Sequence, residues 1–170
     1  SQEKYGLIKE HRVSSLAILI LTKNEEENIV SVVRNAKSCT DEVIVIDSGS
    51  TDKTIELAKQ EGAAVCYRAW DDDFSAQRNF ALAQTKADWV LYLDADERLN
   101  NQLISAIKNI VSEGKLDSQF SIERKSVAFG TKFNHGVLKP DHVIRMFPRT
   151  TVVWVHKVHE HPECSLSIQI

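Results

Sequence analysis

The chain has 170 residues, of which 42% are hydrophobic and 26% are charged, and its formal net charge is −3. This length suits one domain, and the composition is typical of a globular protein. The slight acidity argues against a broad nucleic-acid-binding face, and no apolar run approaches the roughly 20 residues of a membrane span. The three widely spaced cysteines favour reduced thiols in the cytoplasm over a disulfide framework.

Strand and helix signals alternate four times after a polar N-terminal segment. Apolar runs predict buried strands at 16–21, 43–46, 63–67 and 89–93. Amphipathic spacing and cap residues predict helices at 25–36, from Thr51 or Asp52 to just before Gly62, at 74–85, and from the cap Asn100 to Gly114. This alternation predicts an α/β fold with a Rossmann-like, mostly parallel sheet and helices on both faces.

The chain is predicted to divide into three parts. Residues 1–14 form a polar extension without a signal-peptide pattern, residues 15–115 form the α/β half, and residues 116–170 form a β-rich half. The β-rich half is expected to add antiparallel or mixed strands to the sheet. Its last residues alternate without a closing cap, so we expect a truncated C-terminus.

Polar residues follow the first, second and fourth predicted strands. In open α/β sheets the carboxyl ends of the strands bind ligands, so these residues are expected to converge on one site. Asp47 is suited to accept hydrogen bonds from a ribose hydroxyl or a base N–H; the alternative is that it anchors a turn with the small residues after it. The segment lacks the glycine pattern of a phosphate-binding loop.

Asp94 and Asp96 follow the fourth strand. In an extended segment residues two apart share a face, and two adjacent carboxylates repel unless a cation lies near them. Oxygen ligands suit Mg²⁺ or Mn²⁺, which often also bind substrate phosphates. Glu97 is expected to point elsewhere, near the start of the following helix. The alternative is that all three acids are solvated loop residues.

Two further features leave alternatives open. Arg78 is either a planar donor to a phosphate or base, or an exposed helix residue. The histidine-rich segment 156–164 does not match the spacing of a structural zinc site. A single histidine helping a cation at the acidic segment, or surface and core histidines, are the remaining interpretations.

Four motifs in order resemble a family 2 glycosyltransferase of the GT-A fold, closest to the lipopolysaccharide core β-1,4-glucosyltransferase group. They are Thr-Lys-Asn-Glu-Glu-Glu-Asn at 22–28, Val-Ile-Asp-Ser-Gly-Ser-Thr-Asp at 45–52, Arg-Asn at 78–79 and Leu-Asp-Ala-Asp-Glu at 93–97. The segments Val-Ile-Arg-Met-Phe at 143–147 and Val-His-Glu at 158–160 also look like that group.

The resemblance implies an inverting transfer of a hexose, expected to be glucose, from a UDP-sugar to a saccharide or lipopolysaccharide-core hydroxyl, with Mg²⁺ or Mn²⁺. It assigns nucleotide-sugar contacts to Thr22, Asn24, Glu25, Asp47, Arg78, Asp94 and Ala95. It assigns the metal to Asp96 with help from His159, and makes Asp141 and Glu160 the candidate catalytic bases. Residues 15–115 then bind the donor and residues 116–170 face the acceptor.

The expected partners are the donor and a saccharide or lipid-linked acceptor, without nucleic acid. The location is expected to be cytoplasmic, with peripheral association at the inner face of the cytoplasmic membrane as an option. Three other functions compete: a non-catalytic nucleotide-sugar-binding domain, a sugar nucleotidyltransferase and a haloacid-dehalogenase phosphatase. The nucleotidyltransferase would require a glycine-rich, arginine-containing loop after the first strand, and the phosphatase would require its paired acids after the first strand rather than the fourth.

Overall fold

A computed structural model describes residues 13–123, 127–129, 142–156 and 161–169. The described helices are α1 (Ile29–Lys37), α2 (Thr54–Gln60), α3 (Phe74–Ala83) and α4 (Asn101–Glu113). The described strands are β1 (Leu16–Thr22), β2 (Glu42–Asp47), β3 (Ala64–Tyr67), β4 (Trp89–Tyr92), β5 (Glu97–Leu99), β6 (Ser118–Glu123), β7 (Val127–Phe129), β8 (His142–Pro148), β9 (Val153–Val155), β10 (His161–Glu163) and β11 (Ser167–Gln169).

Seven of the described strands form one sheet in the order β11-β6-β8-β4-β1-β2-β3. The pairs β1–β2, β1–β4, β2–β3 and β6–β11 are parallel, whereas β8 runs antiparallel to both β4 and β6. Strands β9 and β10 form a small antiparallel pair, as do β5 and β7. The predicted α/β fold with a mostly parallel sheet is therefore confirmed, as is the addition of mixed strands by the β-rich half.

Strand β1 is buried on both faces and divides its side chains between two cores. Leu16, Ile18 and Ile20 pack in one core with residues of α1, α2 and α4, while Ala17 and Leu19 pack in the other with residues of α3 and β9. This is why the strand reads as a continuous apolar run instead of an alternating one. Helices cover both faces of the sheet, as predicted.

Strand β8 joins the two halves of the chain. It pairs with β4 so that Val90 lies opposite Phe147 and Leu91 lies opposite Met146. Both residues of β8 are buried, at 0% and 1% exposure. The β-rich half therefore completes the same sheet and the same cores as the α/β half.

The first helix begins later than predicted. Helix α1 starts at Ile29, so Glu25, Glu26 and Glu27 lie in the loop before it and not in its first turn. Asn24 adopts a left-handed φ of 53°, and the Glu25 N–H donates to the Thr54 hydroxyl 2.8 Å away. This hydrogen bond ties the segment to the first residue of α2, which competes with helix formation.

Side-chain caps begin α3 and α4, whereas α2 begins at Thr54 after Lys53, which makes no side-chain cap, and not after Thr51 or Asp52 as predicted. Asn100 accepts a hydrogen bond from the Leu103 N–H at 2.8 Å, and Gly114 ends α4 with a φ of 66°, both as predicted. The cap of α3, Asp73, was not predicted; it accepts from the Ala76 N–H at 2.9 Å. Within the described ranges, no helix has the length and apolarity that crossing a membrane requires.

Candidate active site

The polar loops after β1 and β2 are held together at the carboxyl edge of the sheet. The strand register places Thr22 opposite Asp47. Asn24 Oδ1 accepts from the Thr51 N–H at 2.8 Å, and the Asn24 N–H donates to the Ser50 hydroxyl at 2.8 Å. The predicted convergence of these two strand ends is confirmed.

Asp47 is fully buried and anchors the turn after β2. Its Oδ1 accepts from the hydroxyls of Thr22 (3.0 Å) and Ser50 (2.6 Å), and its Oδ2 accepts from the N–H groups of Gly49 (2.9 Å) and Ser50 (2.8 Å). Gly49 has a φ of 116°, which favours glycine at this turn. The turn-anchor role is therefore present in the structure, and a contact from Asp47 to a nucleotide stays a prediction.

An open cleft of about 290 Å³ lies beside these loops. Its lining consists of Leu21, Thr22, Lys23, Ser48, Trp70, Phe74 and Gln77. The rings of Trp70 and Phe74 meet edge to face with centroids 4.6 Å apart, and they supply an aromatic wall. The cleft thus combines aromatic apolar surface with the cation of Lys23.

Gln77 contributes a buried amide to the wall of this cleft. Its Oε1 accepts from Nη1 of Arg68 at 2.9 Å, which fixes the amide orientation because a guanidinium can only donate. The amide nitrogen therefore faces away from Arg68, and in the described part of the chain it has no hydrogen-bond partner. The Gln77 amide nitrogen therefore carries N–H donors that no described residue uses.

Arg78 lies against aromatic rings and not on an exposed helix surface. Its guanidinium carbon is 4.6 Å from the ring centroid of Trp154 and 5.4 Å from that of Tyr92, distances of cation–π contacts. The Tyr92 hydroxyl donates to the Arg78 carbonyl at 2.9 Å. Burial raises the pKa of Tyr92, so this phenol stays protonated. A contact from Arg78 to a base or phosphate stays a prediction.

The acidic segment after β4 is a turn and not an extended continuation of the strand. The Glu97 N–H donates to the Asp94 carbonyl at 3.0 Å, which closes a four-residue turn around Ala95 and Asp96. The argument that Asp94 and Asp96 share a face by strand alternation was therefore wrong in its premise. Both carboxylates are half-exposed in this turn, whereas Ala95 is buried.

The expectation for Glu97 was also wrong. It begins β5, its side chain is 1% exposed, and it points back into the turn, where Oε1 accepts from the Asp94 N–H at 2.9 Å. Arg145 of β8 contacts the same carboxylate. Burial raises the pKa of Glu97 to about 7, and the Arg145 charge partly offsets this rise.

Arg98 holds the opposite side of the turn. Its guanidinium donates to the carbonyls of Ala95 (2.7 Å), Glu97 (2.6 Å) and Asn28 (3.1 Å), and Nε donates to the Ser31 hydroxyl at 2.8 Å. Burial lowers the pKa of Arg98, and the nearby acids Asp96 and Glu25 oppose that change. Two arginines therefore surround the acid turn.

The donor atoms at the turn fit a hard divalent cation that completes its coordination with water and phosphate oxygens. Asp94 and Asp96 offer half-exposed carboxylates, which Mg²⁺ and Mn²⁺ prefer. Across the described ranges, no three His, Cys, Asp or Glu side chains converge into a closed metal site. The predicted metal ligand His159 and the candidate bases Asp141 and Glu160 lie outside the described residues.

Several residues of the site were missed from the sequence. The aromatic wall of Trp70 and Phe74 was not predicted from the sequence, although two aromatic residues around the start of a helix are an available signal. Arg145 lies in the Val-Ile-Arg-Met-Phe segment at 143–147, but nothing in the sequence indicated its role. Arg98 had no signal, because backbone carbonyls can be supplied by any residue and its other contacts, to Asn28 and Ser31, span about 70 residues of sequence.

Comparison with known proteins identifies the family. The profile of "Glycosyl transferase family 2" matches residues 17–159. The chain belongs to glycosyl transferase family 2. This confirms the family-level resemblance, while the lipopolysaccharide core subgroup is a narrower prediction.

Two curated glycosyltransferases match different shares of the chain. An uncharacterized glycosyltransferase of Rickettsia typhi is 37% identical over 113 residues, which are 66% of this chain and 38% of that protein. The SPbeta prophage-derived glycosyltransferase SunS of Bacillus subtilis is 30% identical over 146 residues, 84% of this chain and 33% of SunS. The chain thus spans less than two fifths of the length of either relative.

The fold is shared with solved structures of glucosyl-3-phosphoglycerate synthase from Mycobacterium tuberculosis. The complex of that enzyme with Mn²⁺ and UDP-glucose has a TM-score of 0.53 and 24% identity, covering 63% of this chain and 42% of that one. Its complex with phosphoglyceric acid gives the same TM-score and identity and covers 43% of that chain. The likeness supports the GT-A fold.

Proposed function

We propose that this family 2 chain carries the donor site of a metal-dependent, inverting glycosyltransferase that uses a UDP-hexose. The observation that carries the proposal is the acid turn of residues 94–97, which follows β4 at the same sheet edge as the cleft beside β1, β2 and β3. A ligand with a base, a ribose and a diphosphate needs an aromatic surface and a cation-binding end close together. The cleft and the acid turn supply these two features.

The residues of the cleft suit the nucleoside. The Trp70 and Phe74 rings offer a surface for base stacking, and the buried Gln77 amide offers a donor for a base carbonyl. Lys23 places a positive charge at the same opening, where a phosphate would lie. The loop of Asn24 and Glu25, which directly follows Lys23, is fixed by its contacts to Ser50 and Thr54.

The acid turn suits the diphosphate end. Asp96 would hold the divalent cation, with Asp94 towards the ribose, in line with the carboxylates that the turn presents. When bound, the cation supplies positive charge that stabilises the departing nucleoside diphosphate. A carboxylate accepts the proton of the acceptor hydroxyl while its oxygen attacks the anomeric carbon from the opposite face, which inverts the configuration. Asp141 and Glu160 are our candidates for this base, and His159 for a further metal contact.

The narrower parts of the proposal rest on the family-level motifs. They are glucose as the sugar, a lipopolysaccharide-core or lipid-linked hydroxyl as the acceptor, and a cytoplasmic location at the inner face of the membrane. The solved mycobacterial enzyme binds UDP-glucose and Mn²⁺, which supports the choice of donor and cation to test first.

Calorimetric titration tests the donor site directly. UDP, UDP-glucose and GDP are titrated with and without Mn²⁺ into the wild type, into Asp96→Ala and into Asp41→Ala, a control that removes an exposed acid before β2. We expect Mn²⁺-dependent UDP binding that Asp96→Ala weakens by at least about tenfold, because metal sites depend on each ligand. Equal binding by wild type and Asp96→Ala would refute the metal assignment.

A second measurement separates an enzyme from a binding domain. Release of UDP from UDP-glucose with Mn²⁺ is expected for the wild type and is followed by a coupled assay. Tight UDP-glucose binding without any release, with a range of saccharide acceptors present, would instead favour the non-catalytic alternative.

A further inference from the structure

A closed ring of hydrogen bonds links Glu97 to the acid turn that contains it. The Asp94 N–H donates to Glu97 Oε1 at 2.9 Å, and the Glu97 N–H donates to the Asp94 carbonyl at 3.0 Å. The Glu97 side chain is 1% exposed, so water does not replace these bonds. The side chain of Glu97 thus fixes the backbone at Asp94.

Arg145 connects this ring to another strand. It reaches from β8, contacts Glu97 Oε1, and places Nη1 3.7 Å from Asp94 Oδ2. Its side chain is 11% exposed, whereas that of Asp94 is 48% exposed. Since β8 pairs antiparallel with β4, the arginine approaches the turn from the strand next to the one that the turn follows.

A purely structural role does not account for this pair. Replacing a buried ion pair by apolar residues of similar volume is often neutral or stabilising, so a fold does not require such a pair for its stability. Glu97 Oε2 is buried and has no hydrogen-bond partner within the described residues, which is a further cost of burying this carboxylate. The site is better explained by what the pair does to the turn.

We propose that Glu97 and Arg145 are positioning residues that hold the turn of residues 94–97 in the shape that binds the metal–nucleotide donor. Glu97 fixes the Asp94 backbone, and Arg145 fixes Glu97 while it orients the Asp94 carboxylate. The expected effect on UDP affinity rests on the proposed donor function. The effect on the conformation of the turn does not, because it concerns the metal-free protein.

Two double variants isolate the positioning contact. Glu97→Leu with Arg145→Met removes both charges and the acceptor for the Asp94 N–H. Glu97→Gln with Arg145→Met removes the same charges but keeps an acceptor oxygen. The control is Arg34→Met with Glu61→Leu, which removes an exposed ion pair of 2.8 Å between α1 and the end of α2. All proteins are studied in the same buffer at pH 8.

The expected result separates positioning from stability. Hydrogen exchange of the Asp94 amide in metal-free protein is expected to accelerate by at least about tenfold in the Leu/Met variant, with partial recovery in the Gln/Met variant. Mn²⁺-dependent UDP affinity is expected to fall by at least about tenfold in the Leu/Met variant, while the thermal midpoint stays near that of the wild type.

The same measurements define what would overturn the inference. A Leu/Met variant that folds and keeps wild-type amide exchange and UDP affinity would refute it. If that variant does not fold, Arg145→Met alone decides, because it removes the contact that is proposed to fix Glu97; unchanged Asp94 amide exchange and unchanged UDP affinity there would refute positioning. A wild type that binds no UDP refutes the proposed function, and the amide exchange of Asp94 still tests the hold on the turn.

Discussion

Removing the Asp47 carboxylate is expected to destabilise the protein substantially, since this group anchors the turn after β2. Asp47→Ala leaves two hydroxyls and two N–H groups without their acceptor. Each of these hydrogen bonds contributes about 1 kcal/mol net. Because water can replace some of them in the half-buried part of the loop, we expect a total loss of about 3 kcal/mol in the free energy of unfolding. Asp47→Asn keeps one acceptor oxygen, and we expect it to lose about 1 kcal/mol.

Urea unfolding followed by circular dichroism measures these losses. Asp41→Ala serves as the control, because it removes an acid of the same type from an exposed position six residues earlier. If Asp47→Ala matches Asp41→Ala in unfolding free energy but loses UDP binding, the anchoring argument is refuted and direct nucleotide contact is favoured. Loss of stability together with retained UDP binding would confirm the anchor alone.

Three other predictions concern a helix cap, a buried carboxyl group and a buried thiol. Asn100→Ala removes the side-chain cap of α4 and should cost about 1 kcal/mol in urea unfolding, whereas an unchanged midpoint would refute the cap. The pKa of Glu97 is about 7 in the folded protein, compared with about 4.3 for an unfolded glutamate. The contribution of this group should therefore lower the free energy of unfolding as the pH rises from about 4.3 to about 7. Glu97→Gln should remove that part of the pH dependence of stability; an identical pH profile would contradict it. Burial raises the pKa of Cys39 to about 11, so iodoacetamide should modify Cys39 more slowly at pH 8 than after unfolding, as measured by mass spectrometry.

The sheet was predictable because its strands are buried on both faces. A strand such as β1, which contributes to two cores, must be apolar at every position, and this pattern needs no tertiary information. The start of α1 was not predictable in the same way. Glu25 is held by a hydroxyl from Thr54, a contact 29 residues away that overrides local helix preference.

In the candidate site, too, features set by the local sequence were predictable and features set by distant contacts were not. The position of acids after β4 and β2 followed from strand ends, and the sequence placed Asp47 and Asp94 at one edge of the sheet. The shape of the acid turn did not follow, because it depends on Arg98 and Arg145, whose partners are set by the fold. Glu97 was misjudged for that reason: its side chain contacts Arg145 of β8, which lies 48 residues later in the chain.

The pairing of β8 with β4 has a consequence for protein engineering. Cutting the chain near residue 115 to isolate the α/β half would strip β4 of its neighbour and leave the N–H and C=O groups of its far side unpaired. It would also uncover the apolar surface now covered by Met146 and Phe147. Such an open, apolar strand edge recruits strands from other molecules, so the fragment should aggregate instead of folding as a minimal nucleotide-binding unit.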